Sequence, residues 1–430
     1  MRGFRADQAR HGTPRGSVSH ACDSSRKHQY NDQEYKMKKG LRLTTSMFFG
    51  ACVSSAPLTV HAQSKVTLYG ILDEGIVYQS NVGGGKKVSL DSLSGEQGSR
   101  WGLTGAEDLG GGSRAIFTLE SGLNINSGAL GQGGTQFGRQ AFVGLANDRF
   151  GSVTMGRQYD MIAYFVTPYS MTGVVGTAAF GRPGDLDNTF NSVRLNNSIR
   201  YMSPNYNGLA FGAEYGIGGV PGNFTANSGY SLGASYLNGP LILDAAFTYF
   251  KNPTSATPGS GFFTNNANGA STLALSLNKG YASATAYQVG VVGAGYNVGR
   301  LLFLTSFSNV QYANLGSAFA GGTARFNNVE VTTQFKYSPA LFLTASYDYL
   351  VGKGVMMTDG KEVGAQHYNQ VSVSADYFLS KRSDVYLAAA WQRASGTSST
   401  GGSAVADFVN QGDSSNNHQI YLRVGLRHKF

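Results

Sequence analysis

Side-chain catalysis needs a nucleophile, a base or a set of metal ligands at short range, and this chain offers few such groups. After residue 62 it has three histidines, His367, His418 and His428, and no cysteine, because both thiols, Cys22 and Cys52, precede that point. A Ser-His or Asp-His constellation would have to start from those three positions. Two of them stand near long loops and the third almost at the chain end. No H-E-x-x-H or P-loop pattern occurs. A body without Cys has no zinc finger, disulfide or thiol chemistry. The expectation is therefore a protein that is not an enzyme and holds no metal or cofactor.

The charged groups remain. Lys and Arg number 34 against 25 Asp and Glu, giving +9. Residues 1–36 carry seven basic and four acidic side chains and residues 37–62 three basic and none acidic, which leaves 24 basic and 21 acidic in 63–430. The body is only +3. A charge excess confined to the front does not make a nucleic-acid binder.

That front is an address rather than a domain. From Met37, Lys38, Lys39 and Arg42 form a basic region, Met47 to Val53 a short apolar one, and Val60-His61-Ala62 a cleavage site, the pattern of a Sec signal peptide over 37–62. Residues 1–36 are polar and aperiodic, an upstream extension before a Met37 start, and the body runs from Gln63. No later window offers about 18 uncharged apolar residues, and the mean hydropathy is −0.18. An exported chain without spanning helices is periplasmic, secreted or a transmembrane barrel.

The elements that must position any site alternate with period two. At the C-terminus Ile420, Leu422, Val424, Leu426 and Phe430 share one face, and Tyr421, Arg423, Gly425, Arg427 and Lys429 the other. Val329, Val331 and Phe335 alternate with Glu330, Thr332 and Gln334, and Val371 and Val373 with Ser372 and Ser374. Gly is 59 of the 430 residues, about twice the usual share, and aromatics gather at strand ends. Lipid-facing apolar residues around a polar lumen explain this pattern.

Strands are expected near 66–78, 98–106, 113–122, 137–146, 150–157, 196–203, 208–217, 229–237, 240–250, 285–297, 301–311, 327–337, 341–350, 368–378, 385–393 and 418–430. Short turns and long loops alternate between them, so both termini fall on one side. The fold class is all-β: a sixteen-stranded antiparallel transmembrane barrel wide enough for an aqueous channel, with long extracellular loops and short periplasmic turns. The apolar stretch from Ala270 to Asn278 falls where a loop is needed. The longest connection, residues 158–195, contains an apolar turn, Met161 to Val166, and is expected to fold inward and narrow the lumen.

Several segments carry a family resemblance: Val66-Thr67-Leu68-Tyr69-Gly70 with Asp73, Ser99-Arg100-Trp101-Gly102-Leu103 running into Glu107-Asp108-Leu109-Gly110, and Ala115-Ile116-Phe117-Thr118-Leu119-Glu120. Gly138-Arg139-Gln140-Ala141-Phe142-Val143-Gly144-Leu145, Gly156-Arg157-Gln158-Tyr159-Asp160, Asn196-Asn197-Ser198 and the terminal Phe430 complete the set. Over nearly all of 37–430 the chain resembles Gram-negative general porins of the β-proteobacterial type.

The resemblance implies a homotrimer in outer-membrane lipid and lipopolysaccharide. It also implies passive diffusion of ions and small hydrophilic solutes, and a third loop folded into the lumen as a constriction. Carried over by motif, Arg100, Arg139, Arg157 and Arg194 form the basic side of that constriction. Glu120, Asp160 and Asp185, with Asp187, are the acidic candidates, and Phe430 is the signal for the barrel-assembly machinery.

Alternation places Arg100 and Glu120 toward the lumen. Arg157 shares parity with Val153 and Met155 and turns inward only if its strand breaks there, and the face of Arg139 stays open. Four arginines against Glu120 and Asp160 as the nearest acids predict weak to moderate anion preference. A channel selective for a saccharide or an organic anion is the alternative; Tyr78, Tyr386 and Tyr421 have lumen parity, as a saccharide slide would require.

Overall fold

A computed structural model describes residues 65–253, 263, 273 and 275–430, all within one compact unit, Ser54–Phe430. The upstream extension, the export segment and the Gln63 start lie outside the described residues.

Sixteen barrel strands follow one another along the chain. They are β1 (Lys65–Val82), β2 (Arg100–Gly110), β3 (Ser113–Asn124), β4 (Gln140–Asn147), β5 (Gly151–Gln158), β6 (Leu195–Met202), β7 (Leu209–Gly216) and β8 (Gly229–Asn238). Then come β9 (Leu241–Lys251), β10 (Ala286–Val298), β11 (Leu301–Ala313), β12 (Ala324–Lys336), β13 (Leu341–Lys353), β14 (Gln366–Phe378), β15 (Ser383–Gly396) and β16 (His418–Lys429). Each pairs antiparallel with its neighbour, and β1 pairs with β16 from Ile71↔Lys429 to Gln79↔Tyr421, which closes the barrel. Closure removes the unpaired edges that lipid could not satisfy.

Each of these strands falls where the alternation placed it. β1 is longer than the period suggests: its first half pairs with β2, and its second half with a short strand, Gly85–Asp91, in the first loop. Seven connections run two to six residues and eight run ten to 36. Of the apolar stretch 270–278, the described part from 275 is turn, leading into a 3₁₀ turn at Lys279–Tyr281.

The period-two pattern resolves into an apolar exterior and a polar interior. Leu68, Val424 and Leu387 are 58%, 59% and 57% exposed on the outer face, while Glu330, Thr332, Gln334 and Ser372 are buried toward the lumen. Exposed Phe150, Tyr206, Tyr296, Phe335, Tyr337 and Tyr377 gather at the short-turn end as an aromatic girdle. Tyr78 corrects the expectation of lumen parity. It pairs with Val88 and Leu422, both exposed apolar residues, so it belongs to the outer face, whereas Tyr386 and Tyr421 are buried inside.

Alternation alone also missed an inward aromatic core at the long-loop end. Phe250, Tyr287, Tyr312 and Phe326 pack in succession from β9 to β12, stacked, tilted and edge-to-face, with ring centroids 5.7, 5.4 and 6.3 Å apart. Tyr281 packs on Tyr312 at 5.7 Å.

Candidate functional site

The third loop, residues 159–194, crosses the barrel interior. Its apolar start is a π-helical turn, Ile162–Val166, seated on the inner wall where β7 and β8 offer Gly212 and Gly233. A Cβ at Gly233 would lie 2.5 Å from the Phe165 ring, and one at Gly212 would lie 2.8 Å from Met161 Sδ. The absent side chains are the seat.

Farther along, Arg182 is bound by Asp187 and Ser306, with its Nε 3.3 Å from Glu330 Oε2 and 4.0 Å from Asp348. Glu330 also accepts the Met171 N–H at 2.9 Å. On the far side Thr177 N and Ala178 N donate to the first-loop carbonyls of Gly95 and Ser94 at 3.0 and 3.2 Å, and Gln370 Nε2 on the β14 wall donates to the Ala179 carbonyl at 3.1 Å. The loop is a strap tied at both walls.

Against β2–β4 the structure gathers three of the four arginines, Arg100, Arg139 and Arg194, around Glu120. Arg139 Nε lies 2.7 Å from Glu120 Oε1, and Tyr69 donates its hydroxyl to Oε2 at 3.0 Å. Arg100 sits in the field of Arg139 and Glu120, directly across from Gly122 on β3. Tyr159 lies between two guanidinium groups, Arg194 at 5.1 Å and Arg139 at 5.9 Å from its ring centre.

Arg157 does not meet its condition: it stands opposite Ala141 in the row of the outward Val143–Met155 pair, while Thr154 and Gln158 on either side stay buried on the lumen face and bond each other, and the extra residue of the register shift lies on β6. Its guanidinium bonds the Gly138 carbonyl at 2.8 Å and Asn196, within reach of the Arg194 charge. Phe142 and Gly144 face the lumen and Val143 and Leu145 the outside, and Arg139 precedes that strand where it meets Glu120.

The loop's acids are not brought to this cluster, and here the structure corrects their placement. Asp160, with no exposed surface, accepts from Ala163 N, Asn188 and Thr248. Asp185 accepts the N–H groups of Phe190 and Ser192 at 2.8 and 3.0 Å, and Asp187 holds Arg182 and Ser308. Each ties the loop's own backbone or wall and turns away from the channel. Burial pushes the Asp160 carboxyl up to about 6, and pushes Asp185 up to about 7 with Asp187 adding to the rise.

Two further lumen arginines are matched by acids, while the buried Arg200 lies 4.3 Å from the Tyr164 ring centre. Arg423 lies 3.0 Å from Asp73 and 3.8 Å from Asp91. Arg427 lies 3.1 Å from Glu96, 3.3 Å from Asp376 and 3.1 Å from Asp384, at the centre of the one carboxylate cluster among the described residues with metal-ligand spacing. One G-x-S-x-G spacing that sequence reasoning missed, Gly229-Tyr230-Ser231-Leu232-Gly233, lies along β8, where Ser231 Oγ accepts the Met161 N–H and pairs with Thr248.

A closed barrel of this strand number, apolar outside and charged inside, with a strap across its lumen, defines an outer-membrane channel-type protein. The model of the family described as Gram-negative porin matches residues 50–397, and the chain belongs to that family. It is 34% identical over 232 residues to an outer membrane porin protein of Bordetella pertussis, covering 46% of this chain and 59% of that one. The match to outer membrane porin protein 32 of Delftia acidovorans is 35% identical over 42% of this chain and 52% of the relative.

The chain thus spans little more than half the length of these two relatives in the matched stretches. Major outer membrane protein P.IB of Neisseria meningitidis is 26% identical over 87% of this chain and 97% of its own. Among solved structures, an anion-selective porin from Comamonas acidovorans superposes with a TM-score of 0.65 at 22% identity, covering 86% of this chain and all of the other.

Proposed function

We propose that the protein is a passive-diffusion channel of the outer membrane, working as a homotrimer, for ions and small hydrophilic solutes, with weak to moderate preference for anions. The observation that carries the preference is an imbalance. Arg182, Arg423 and Arg427 each have two or more carboxylates, whereas Arg100, Arg139 and Arg194 share Glu120. In an aqueous pore with a Debye length of about 8 Å, only charge at the narrowest section strongly biases a passing ion. An anion there exchanges water for guanidinium donors that stay charged at any accessible pH.

In this reading the export segment 37–62 is removed before Gln63, and Phe430 addresses the strand to the assembly machinery. The purified trimer in a planar bilayer under a potassium chloride gradient should give a reversal potential on the chloride side. Potassium preference at low salt would refute the reading.

A further inference from the structure

Apart from Arg194, which belongs to the arginine cluster, the strap presents no charge. Its other four charged side chains, Asp160, Arg182, Asp185 and Asp187, are at most 4% exposed. Because the strap lies wholly inside the barrel, what it exposes it exposes to the lumen. Those groups include Ala163, Tyr164, Thr172, Val174 and Phe190. Tyr164 stands beside the basic wall, its hydroxyl donating to Gln140 and its ring 6.4 Å from that of Tyr159. On the wall Arg100 and Arg139 are partly exposed, and Arg100 Nε has no hydrogen-bond partner.

The narrow section is therefore guanidinium on one side and methyl, hydroxyl and aromatic surface on the other. A fully hydrophilic anion gains from the first side and must strip water against the second. An anion with an apolar flank gains from both.

From this geometry we infer that the pore discriminates among anions by their uncharged part, favouring monocarboxylates with an apolar or aromatic body over polyhydroxylated ones of like charge and size. The inference rests on the anion-channel reading and narrows it to a substrate class. The carboxylate meets Arg100 and Arg139 while the body slides along the strap.

The test uses bi-ionic reversal potentials of the reconstituted trimer, with potassium benzoate against potassium gluconate, and potassium chloride gradients as a separate arm. Benzoate permeability over gluconate should exceed the ratio of their aqueous mobilities by on the order of threefold, the size of one aromatic contact. Phe190→Ser and, independently, Thr172→Asp should each bring that ratio down toward the mobility ratio. A wild-type ratio equal to the mobility ratio, with chloride still preferred over potassium, overturns this inference and leaves the anion channel standing. Potassium preference in the chloride arm overturns the anion reading itself. Variants that conduct with an unchanged benzoate ratio overturn the role of the strap.

Discussion

Glu120 is the residue on which the basic wall turns, because it is buried and accepts from both Arg139 and Tyr69. Glu120→Gln removes the only acid of the cluster and keeps an acceptor, so anion preference should rise, read as a larger chloride reversal potential at low salt. Arg100→Glu acts the other way. Its guanidinium makes no hydrogen bond that the barrel depends on through Nε, so the variant should assemble and shift selectivity toward cations; unchanged potentials in an assembled variant would dismiss Arg100 as a constriction charge.

Asp185 supplies a pH-dependent prediction. Its folded value is raised above the unfolded one, so its contribution to loop stability is fully present below about 4 and is lost as pH rises through about 7. Amide exchange at Phe190 and Ser192, corrected for intrinsic rates, should show less protection at pH 8.5 than at pH 5.5, and Asp185→Asn should flatten the difference.

At the scale of elements, the strap's position depends on wall residues far away in sequence. Gly233→Val puts a Cβ 2.5 Å from the Phe165 ring and 2.9 Å from Met161, which pushes the strap off the wall. Single-channel conductance should fall while the heat-modifiable barrel band remains. Arg182→Ala instead leaves Asp187, Glu330 and Asp348 buried without their cation, at a cost of roughly 3–5 kcal/mol, enough to free the middle of the strap. Its signature is noisy, flickering current with an intact barrel. Steady current of wild-type amplitude would mean that the ties to Gly95, Ser94 and Gln370 hold the strap alone.

For the whole molecule, assembly and conduction separate at the seam. The Phe430 ring covers Gly70, and the two residues exchange backbone hydrogen bonds of 3.0 and 3.1 Å where the barrel closes. Phe430→Ala should lower outer-membrane yield at native expression and leave single-channel conductance as it is, since the ring faces outward and never meets the lumen. Normal yield would remove the assembly role. Anion preference should survive a rise to pH 9, where arginine stays charged, and weaken as salt shortens the Debye length.

Strand number, closure and the inside–outside assignment were legible in the sequence, because a membrane strand must alternate lipid-facing and water-facing residues over its whole length. The run from Ile420 to Phe430 carries that rule openly. The resemblance supplied the four arginines. Tertiary structure alone decided what depends on a break in the period or on distant partners. Arg139 meets Glu120 because it precedes the start of its strand, whereas Arg157 keeps the outward parity of Val153 and Met155 despite its motif.

Asp160 and Asp185 looked like channel acids by position, yet loop backbone consumed them, since a buried strap must satisfy its own N–H groups from within. Tyr78 lost its lumen place to the pairing with Leu422, and Tyr287 and Tyr312 gained an apolar core inside a polar barrel. Local pattern fixes which face a side chain leaves from; only the closed barrel determines what it meets there.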